Sequence, residues 1–220
     1  MNDWITFALP KGRILEDSME LFAHIGITCP EMSEKSRKLV FENPEQKFRF
    51  MAVRATDVPT YVEYGCADLG VVGKDTLLEQ GKDLYEPVDM KFGYCRLVVA
   101  EPKNLQAEDN PLNWSNIRVA TKYPHITERY FAQKGIQVEL IKLYGSIELA
   151  PLVGLSERIV DLVSTGGTLK ANGMVEVETI AEVTSRLIVN RASLKTKHQR
   201  IGKIIAELEK VVGDEVRISE

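Results

Sequence analysis

Short apolar runs alternate with segments of helical period along almost the whole sequence, and this alternation restricts the chain to an α/β architecture. Residues 4–9 read as a buried strand. Pro10-Lys11-Gly12-Arg13 then leads into a helix with Leu15, Ser18, Met19, Phe22 and Ile25 on one face, and Gly26 suits its C-terminal cap. Residues 48–53 form a second strand. Asp57 is placed to cap a helix that tolerates Pro59 near its start and closes at Gly65, and residues 67–72 form the next strand. From about Tyr94 the pattern restarts. It runs through a strand at 95–100, a polar stretch at 101–113, a strand at 117–120 and a helix after Pro124. A strand at 138–143, a helix opened by Ser146 and an apolar strand at 159–163 follow. Residues 175–190 look extended. Leu194, His198, Ile201, Ile204, Ile205, Leu208, Val211 and Val212 then give a final amphipathic helix, expected to pack back on the first lobe. The predicted organisation is two α/β lobes, 1–93 with 180–220 and 94–179, leaving a cleft between them for a small ligand.

Composition narrows the function classes. Of the 220 residues 44% are hydrophobic and 27% charged, which excludes a disordered chain. Apolar runs stop near four residues, far below the ~20 that cross a bilayer, so no membrane partner is expected. Met1-Asn2-Asp3-Trp4 has none of the marks of a secretory signal, and the chain reads as cytoplasmic. The net charge of −4 offers no global field for nucleic acid, so an anionic substrate needs a local basic site. Cys29, Cys66 and Cys95 lack metal or disulfide spacing and read as buried free thiols, while His24, His125 and His198 are too scattered to form a metal pair.

The segment most suggestive of chemistry is Asp161-Leu162-Val163-Ser164-Thr165-Gly166-Gly167-Thr168-Leu169, where an apolar strand runs into hydroxyls and glycines at a possible helix start. Glycines let backbone N–H groups approach an anion, and the hydroxyls of Ser164, Thr165 and Thr168 add donors. The same residues also suit a plain turn that caps a helix. Asp161 shares a strand face with Val163, where a carboxylate can accept two ribose hydroxyls. Common phosphoribosyl-binding loops carry two adjacent acids before T-G-x-T, whereas Leu162 follows Asp161 here; Glu148 can supply the second acid or serve as a surface or capping residue. Lys11 and Arg13 after the first strand, Arg37 and Lys38 in the next connection, and Arg54 after the second can converge where strand ends bind ligands. Such side chains suit di- and triphosphates, although solvated surface charge is their usual fate and the better reading of Lys35. Gly70-Val71-Val72-Gly73-Lys74-Asp75 lacks the P-loop spacing, Gly145-Ser146-Ile147 does not continue into a hydrolase elbow, and no dinucleotide fingerprint follows a strand.

An ordered set of motifs adds to this reading. Ala8-Leu9-Pro10-Lys11-Gly12-Arg13, Arg54-Ala55-Thr56-Asp57-Val58-Pro59 through Gly70, Ala120-Thr121-Lys122-Tyr123-Pro124, and Gly145-Ser146-Ile147-Glu148-Leu149-Ala150-Pro151 through Thr168 together resemble the catalytic chain of the ATP phosphoribosyltransferase family. The resemblance implies a periplasmic-binding-protein-like (type II) pair of lobes with the active site in the inter-lobe cleft. It implies the first reaction of histidine biosynthesis, in which adenine N1 of ATP displaces pyrophosphate from 5-phosphoribosyl 1-diphosphate (PRPP). Mg²⁺ is then carried by the substrates, with no direct protein ligand.

Residue by residue, Ser164, Thr165, Gly166, Gly167 and Thr168 match the family's loop for the PRPP 5-phosphate, with Asp161 and Glu148 at the ribose. Lys11, Arg13, Arg37, Lys38 and Arg54 are candidates for the pyrophosphate and triphosphate groups, Arg13, Arg37 and Lys38 for catalysis. The chain stops soon after Val212, as in the family's short form, which implies a regulatory subunit resembling histidyl-tRNA synthetase and dimers of this chain within a hetero-oligomer. A non-catalytic anion receptor and a phosphoribosyltransferase with another acceptor base share the fold and the cradle.

Overall fold

Strand β1 (Ile5–Pro10) is buried along its whole length, the mark of a parallel strand covered on both faces. The computed structural model describes residues 3–32, 36–105 and 117–218, the last five as helical backbone only; Lys35 and the polar stretch beyond 105 lie outside them. β1 lies between β3 (Phe48–Val53) and β4 (Leu69–Gly73), parallel to both. β2 (Val40–Asn43) pairs antiparallel with β3, and β11 (Ser185–Val189) joins β4 to β5 (Tyr85–Asp89), antiparallel to each. The sheet order is β2-β3-β1-β4-β11-β5.

One face of this sheet packs under α1 (Arg13–His24) and α8 (His198–Ile218). Phe7, Phe22, Phe48 and Phe50 form its aromatic centre, with the Phe7 and Phe50 rings stacked at 5.2 Å. Ile201, Ile204, Leu208 and Val212 of α8 enter the same core, so the tail does pack on the first lobe. The helix expected there as one piece is two. Leu194 lies on α7 (Arg191–Thr196), and the chain turns at Lys197, whose ammonium reaches the Asp68 carboxylate at 2.8 Å and the Trp4 carbonyl at 2.6 Å. The other face packs under α2 (Val58–Glu63). A Cβ at Gly70 would stand 2.8 Å from both Val58 and Val62, so only glycine allows this helix so near β4. Asp57 precedes α2 but does not cap it with its side chain: it already belongs to the 3-10 turn Ala55–Asp57, and the extended residue that enters the helix is Arg54.

The second sheet has the order β10-β6-β9-β7-β8. Its strands are β6 (Cys95–Pro102), β7 (Ile117–Thr121), β8 (Val138–Lys142), β9 (Arg158–Val163) and β10 (Met174–Val183). β7 runs parallel to β8 and β9; β6 runs antiparallel to β9 and β10. Alternate side chains separate two cores. Leu97, Val99, Val119 and Val160 pack with Phe131 of α4 (Pro124–Gln133), while Val98, Ala120, Ile159 and Val163 pack with Ile147, Ala150 and Leu169. Contacts divide the chain into two units, 1–77 with 81–93 and 184–220, and 78–80 with 94–183. The extended stretch at 175–190 is therefore two strands, β10 and β11, one in each sheet.

α3 (Lys74–Gln80) carries its last turn into the second unit, where the Glu79 carboxylate accepts hydrogen bonds from the amides of His125 and Ile126 at the start of α4. Of the three cysteines only Cys29 is buried; Cys66 is exposed and Cys95 half-buried, which corrects the expectation of three buried thiols. No helix among the described residues is long and apolar enough to cross a membrane.

Candidate active site

The carboxyl end of β9 opens directly into a pocket lined by Glu148, Asp161, Ser164, Thr165, Gly166, Gly167 and Thr168, together with Leu162, Val163 and Leu169. Ile159 and Val163 anchor one face of β9 in the core, and Asp161, between them on that face, is carried to the pocket floor. Gly166 sits in the left-handed region at φ +76°, which turns the chain into α6 (Gly167–Ala171). Leu169 buries the far side of that helix. Among the described residues the amides of Thr165 and Gly166 donate to no protein acceptor, and that of Gly167 reaches only the Thr165 hydroxyl, at 3.5 Å. Such a row of amides beside three hydroxyls is built to receive an anion.

Glu148 reaches the same pocket from another segment. Ile147 and Ala150 are buried in the core beneath and fix the backbone on either side of it. The expected helix does not open at Ser146, which takes a positive φ of 49°; a turn forms there, and α5 (Leu149–Leu152) begins three residues later. Glu148 makes no side-chain cap to that helix, so its carboxylate is left to the pocket. Burial pushes the Asp161 carboxyl up and the nearby Glu148 adds to the effect, opposed by the Leu162 amide, which donates to Asp161 Oδ1 at 2.8 Å, and by Lys122.

The basic residues gather less completely. Lys11 and Lys38 line one pocket in the first unit with Gly12, Leu15, Met32, Ser36, Phe41 and Ala52. Lys11 stands where β1 ends, its amide donating to the Val53 carbonyl at the end of β3. Lys38 Nζ lies 3.3 Å from Glu31. Arg13 turns along α1 toward Asp17 at 3.6 Å with its side chain 83% exposed, and Arg37 and Arg54 are exposed; none of these three lines that pocket. Sequence reasoning passed over Arg96 and Glu176, whose side chains pair at 2.7 and 3.0 Å beside the loop. They are 80 residues apart, and no local motif joins them. Among the described residues no group of three or more His, Cys, Asp or Glu side chains is placed to hold a metal ion.

Fold and loop define a class: an α/β protein of two sheet-centred units, one carrying a hydroxyl- and glycine-lined pocket at a strand's carboxyl end. The periplasmic aliphatic sulphonate binding protein SsuA from Escherichia coli shares this fold at 13% identity and a TM-score of 0.57, over 94% of this chain and 72% of that one. The particular family follows from closer likenesses. The HisG family model, ATP phosphoribosyltransferase, matches residues 54–210. The ATP phosphoribosyltransferase of Syntrophotalea carbinolica is 81% identical over 215 residues, covering 98% of each chain, and that of Geobacter metallireducens is 73% identical over 212 residues, 96% of this chain and all of the other. The ATP phosphoribosyl transferase (HisG:HisZ) complex from Thermotoga maritima contains a chain with a TM-score of 0.81 at 34% identity, covering 96% of this chain and 99% of that one. The chain belongs to the ATP phosphoribosyltransferase family. Its reaction joins adenine N1 of ATP to C1 of PRPP with loss of pyrophosphate, giving phosphoribosyl-ATP in the first step of histidine biosynthesis.

Proposed function

We propose that the Ser164–Thr168 loop holds the 5-phosphate of PRPP while Asp161 and Glu148 accept hydrogen bonds from its ribose hydroxyls. The observation that carries this reading is one pocket uniting two carboxylates with three hydroxyls and unpaired amides. Amides neutralise a phosphate without excess positive charge, which suits a chain of net charge −4. Lys11, Arg13, Arg37, Lys38 and Arg54 serve the pyrophosphate and triphosphate groups, with Arg13, Arg37 and Lys38 acting on the reacting diphosphate. The shared pocket of Lys11 and Lys38 supports the first part of that assignment.

In the reaction the N1–C1 bond forms as the C1–O bond breaks, inverting the anomeric carbon, and pyrophosphate leaves with the bonding pair. Positive charge develops on the ribosyl ring while negative charge grows on the leaving group, so oriented cations and a fixed ribose contribute more than a strong base. Mg²⁺ accompanies the substrates and offsets diphosphate charge. The donor set suits that arrangement, because the pocket offers two carboxylates rather than a full ligand shell.

This chain works as a dimer within a hetero-oligomer containing a regulatory subunit resembling histidyl-tRNA synthetase, in the cytoplasm, where ATP and PRPP are made. The HisG:HisZ complex of its Thermotoga maritima relative supports the assembly. The loop assignment is tested by Thr168→Ala. We expect the KM for PRPP to rise by about tenfold, with the KM for ATP within twofold, the cost of one hydrogen bond to a charged group; equal change in both constants would overturn it.

A further inference from the structure

The phosphate loop is supported from below by an ion pair that takes no part in the contacts assigned above. Arg96 on β6 and Glu176 on β10 pair through two hydrogen bonds, Nη1 to Oε2 at 2.7 Å and Nη2 to Oε1 at 3.0 Å. The two side chains are about a third exposed, 32% and 29%. In the ladder Arg96 stands opposite Val163, the last residue of β9 before the loop, and Glu176 opposite Ala100. Val98, Ala100 and Val163 belong to one core, so both charged residues share the sheet face that also carries Asp161 and the loop.

Glu176 then meets the loop itself. Its Oε1 lies 3.4 Å from where a Cβ on Gly166 would stand, nearer than the next atom, Val163 Cγ1 at 3.9 Å. Gly166 holds the left-handed conformation that aims the loop's amides, and among the described residues the amides of Thr165 and Gly166 donate to no protein acceptor. A carboxylate in that place does two opposing things: it limits where Gly166 can move, and it puts a negative charge beside a site for a dianion. The bidentate guanidinium of Arg96 cancels the second effect while fixing the first.

We infer that Glu176 and Arg96 are a positioning pair for binding the PRPP 5-phosphate, Glu176 setting Gly166 and Arg96 masking the charge of Glu176 from the phosphate. The inference rests on the loop assignment proposed above, and it makes a prediction that simple structural support does not. Removing Glu176 costs positioning but leaves the Arg96 cation unpaired, which favours the phosphate, whereas removing Arg96 costs positioning and also exposes the carboxylate to the incoming phosphate.

The test titrates ribose 5-phosphate, which carries the 5-phosphate without the diphosphate, into the full chain by calorimetry, alongside KM values for PRPP and ATP in the assembled enzyme. Glu176→Gln, close to isosteric, is expected to weaken ribose 5-phosphate and raise the KM for PRPP by about tenfold, the scale of a small misplacement of binding groups. Arg96→Met is expected to weaken both by several times more. The double variant, which loses positioning but exposes neither charge, is expected to fall between the two single variants, and the KM for ATP to stay within twofold throughout. Equal losses in the two single variants, additive losses in the double, or parallel changes in both KM values would overturn the inference. If Arg96→Met fails to fold, Arg96→Lys, which keeps the charge and loses the fork, must fall between wild type and Glu176→Gln, and a smaller or larger effect counts against the pair. Thr168→Ala separates the two readings: unchanged ribose 5-phosphate binding there removes the loop assignment, whereas weakened binding there with Glu176→Gln unaffected removes only the positioning pair.

Discussion

At Asp161, burial and the Glu148 carboxylate both favour the protonated form, and only the Leu162 amide and Lys122 oppose them. A carboxyl raised in the folded state costs no stability below its unfolded pKa, about 3.9, where it is protonated in both states. As pH rises through the raised folded value the unfolded chain has already released its proton, so stability falls and then levels off once both states are ionised. Asp161→Asn is therefore expected to melt at a higher temperature than wild type at pH 7, with the gap closing near pH 3, while its KM for PRPP rises. Thermal melts across pH check the sign, and a variant less stable than wild type at pH 7 would contradict it. At Gly166 a Cβ meets both a positive φ and the Glu176 carboxylate, so Gly166→Ala should cost about 1 kcal/mol or more by denaturant titration. Arg37 is exposed. If it stabilises the departing diphosphate, Arg37→Ala lowers turnover by about 10² to 10³, and unchanged turnover removes it from the catalytic set.

Among the elements, the break between α7 and α8 carries more than its length suggests. Lys197 enters a largely buried cluster with Asp68, whose carboxylate also accepts from the Thr6 amide at 2.8 Å. Lys197→Met strands that carboxylate beside β1 and should lower unfolding free energy by about 3 kcal/mol, readable in urea denaturation. A loss under 1 kcal/mol would show that the pair is effectively solvated. The same junction marks where sequence reading runs out: the apolar period continues from Leu194 to Val212, and nothing in it announces a turn made for one half-buried ammonium. Strands β1, β4 and β6 were legible because their centres are buried on both faces and mainly apolar, and β3 and β9 because the residues around Arg49 and Asp161 are apolar. β2 and β5 were not. Both are sheet edges, β2 with Val40 exposed and β5 with Pro87 inside it, and an edge strand has no second neighbour to impose a pattern. In the candidate site, residues 161–168 were readable because they are consecutive, and Glu148 followed from its motif. Arg96 and Glu176 meet only through strand order, which periodicity does not encode.

For the molecule as a whole, α/β alternation produces two sheets whose strands come from interleaved parts of the chain, with the Ser164–Thr168 loop on one and the Lys11–Lys38 pocket on the other. ATP phosphoribosyl transfer requires that a ribosyl phosphate be held while a diphosphate departs, and the proposal assigns the first charge to the loop and the second to the basic residues. Mixed with the regulatory subunit, the chain is expected to sediment as a hetero-oligomer containing pairs of this chain, and two species sedimenting independently would remove the partner from the account. The most direct measurement is mass-spectrometric detection of phosphoribosyl-ATP after mixing the chain with ATP, PRPP, Mg²⁺ and pyrophosphatase, first alone and then with the regulatory subunit. The account predicts product in at least the second mixture, and its loss when the mixture is made with the Asp161→Asn, Thr168→Ala double variant. No product in either wild-type mixture, or undiminished product from the double variant, would contradict it.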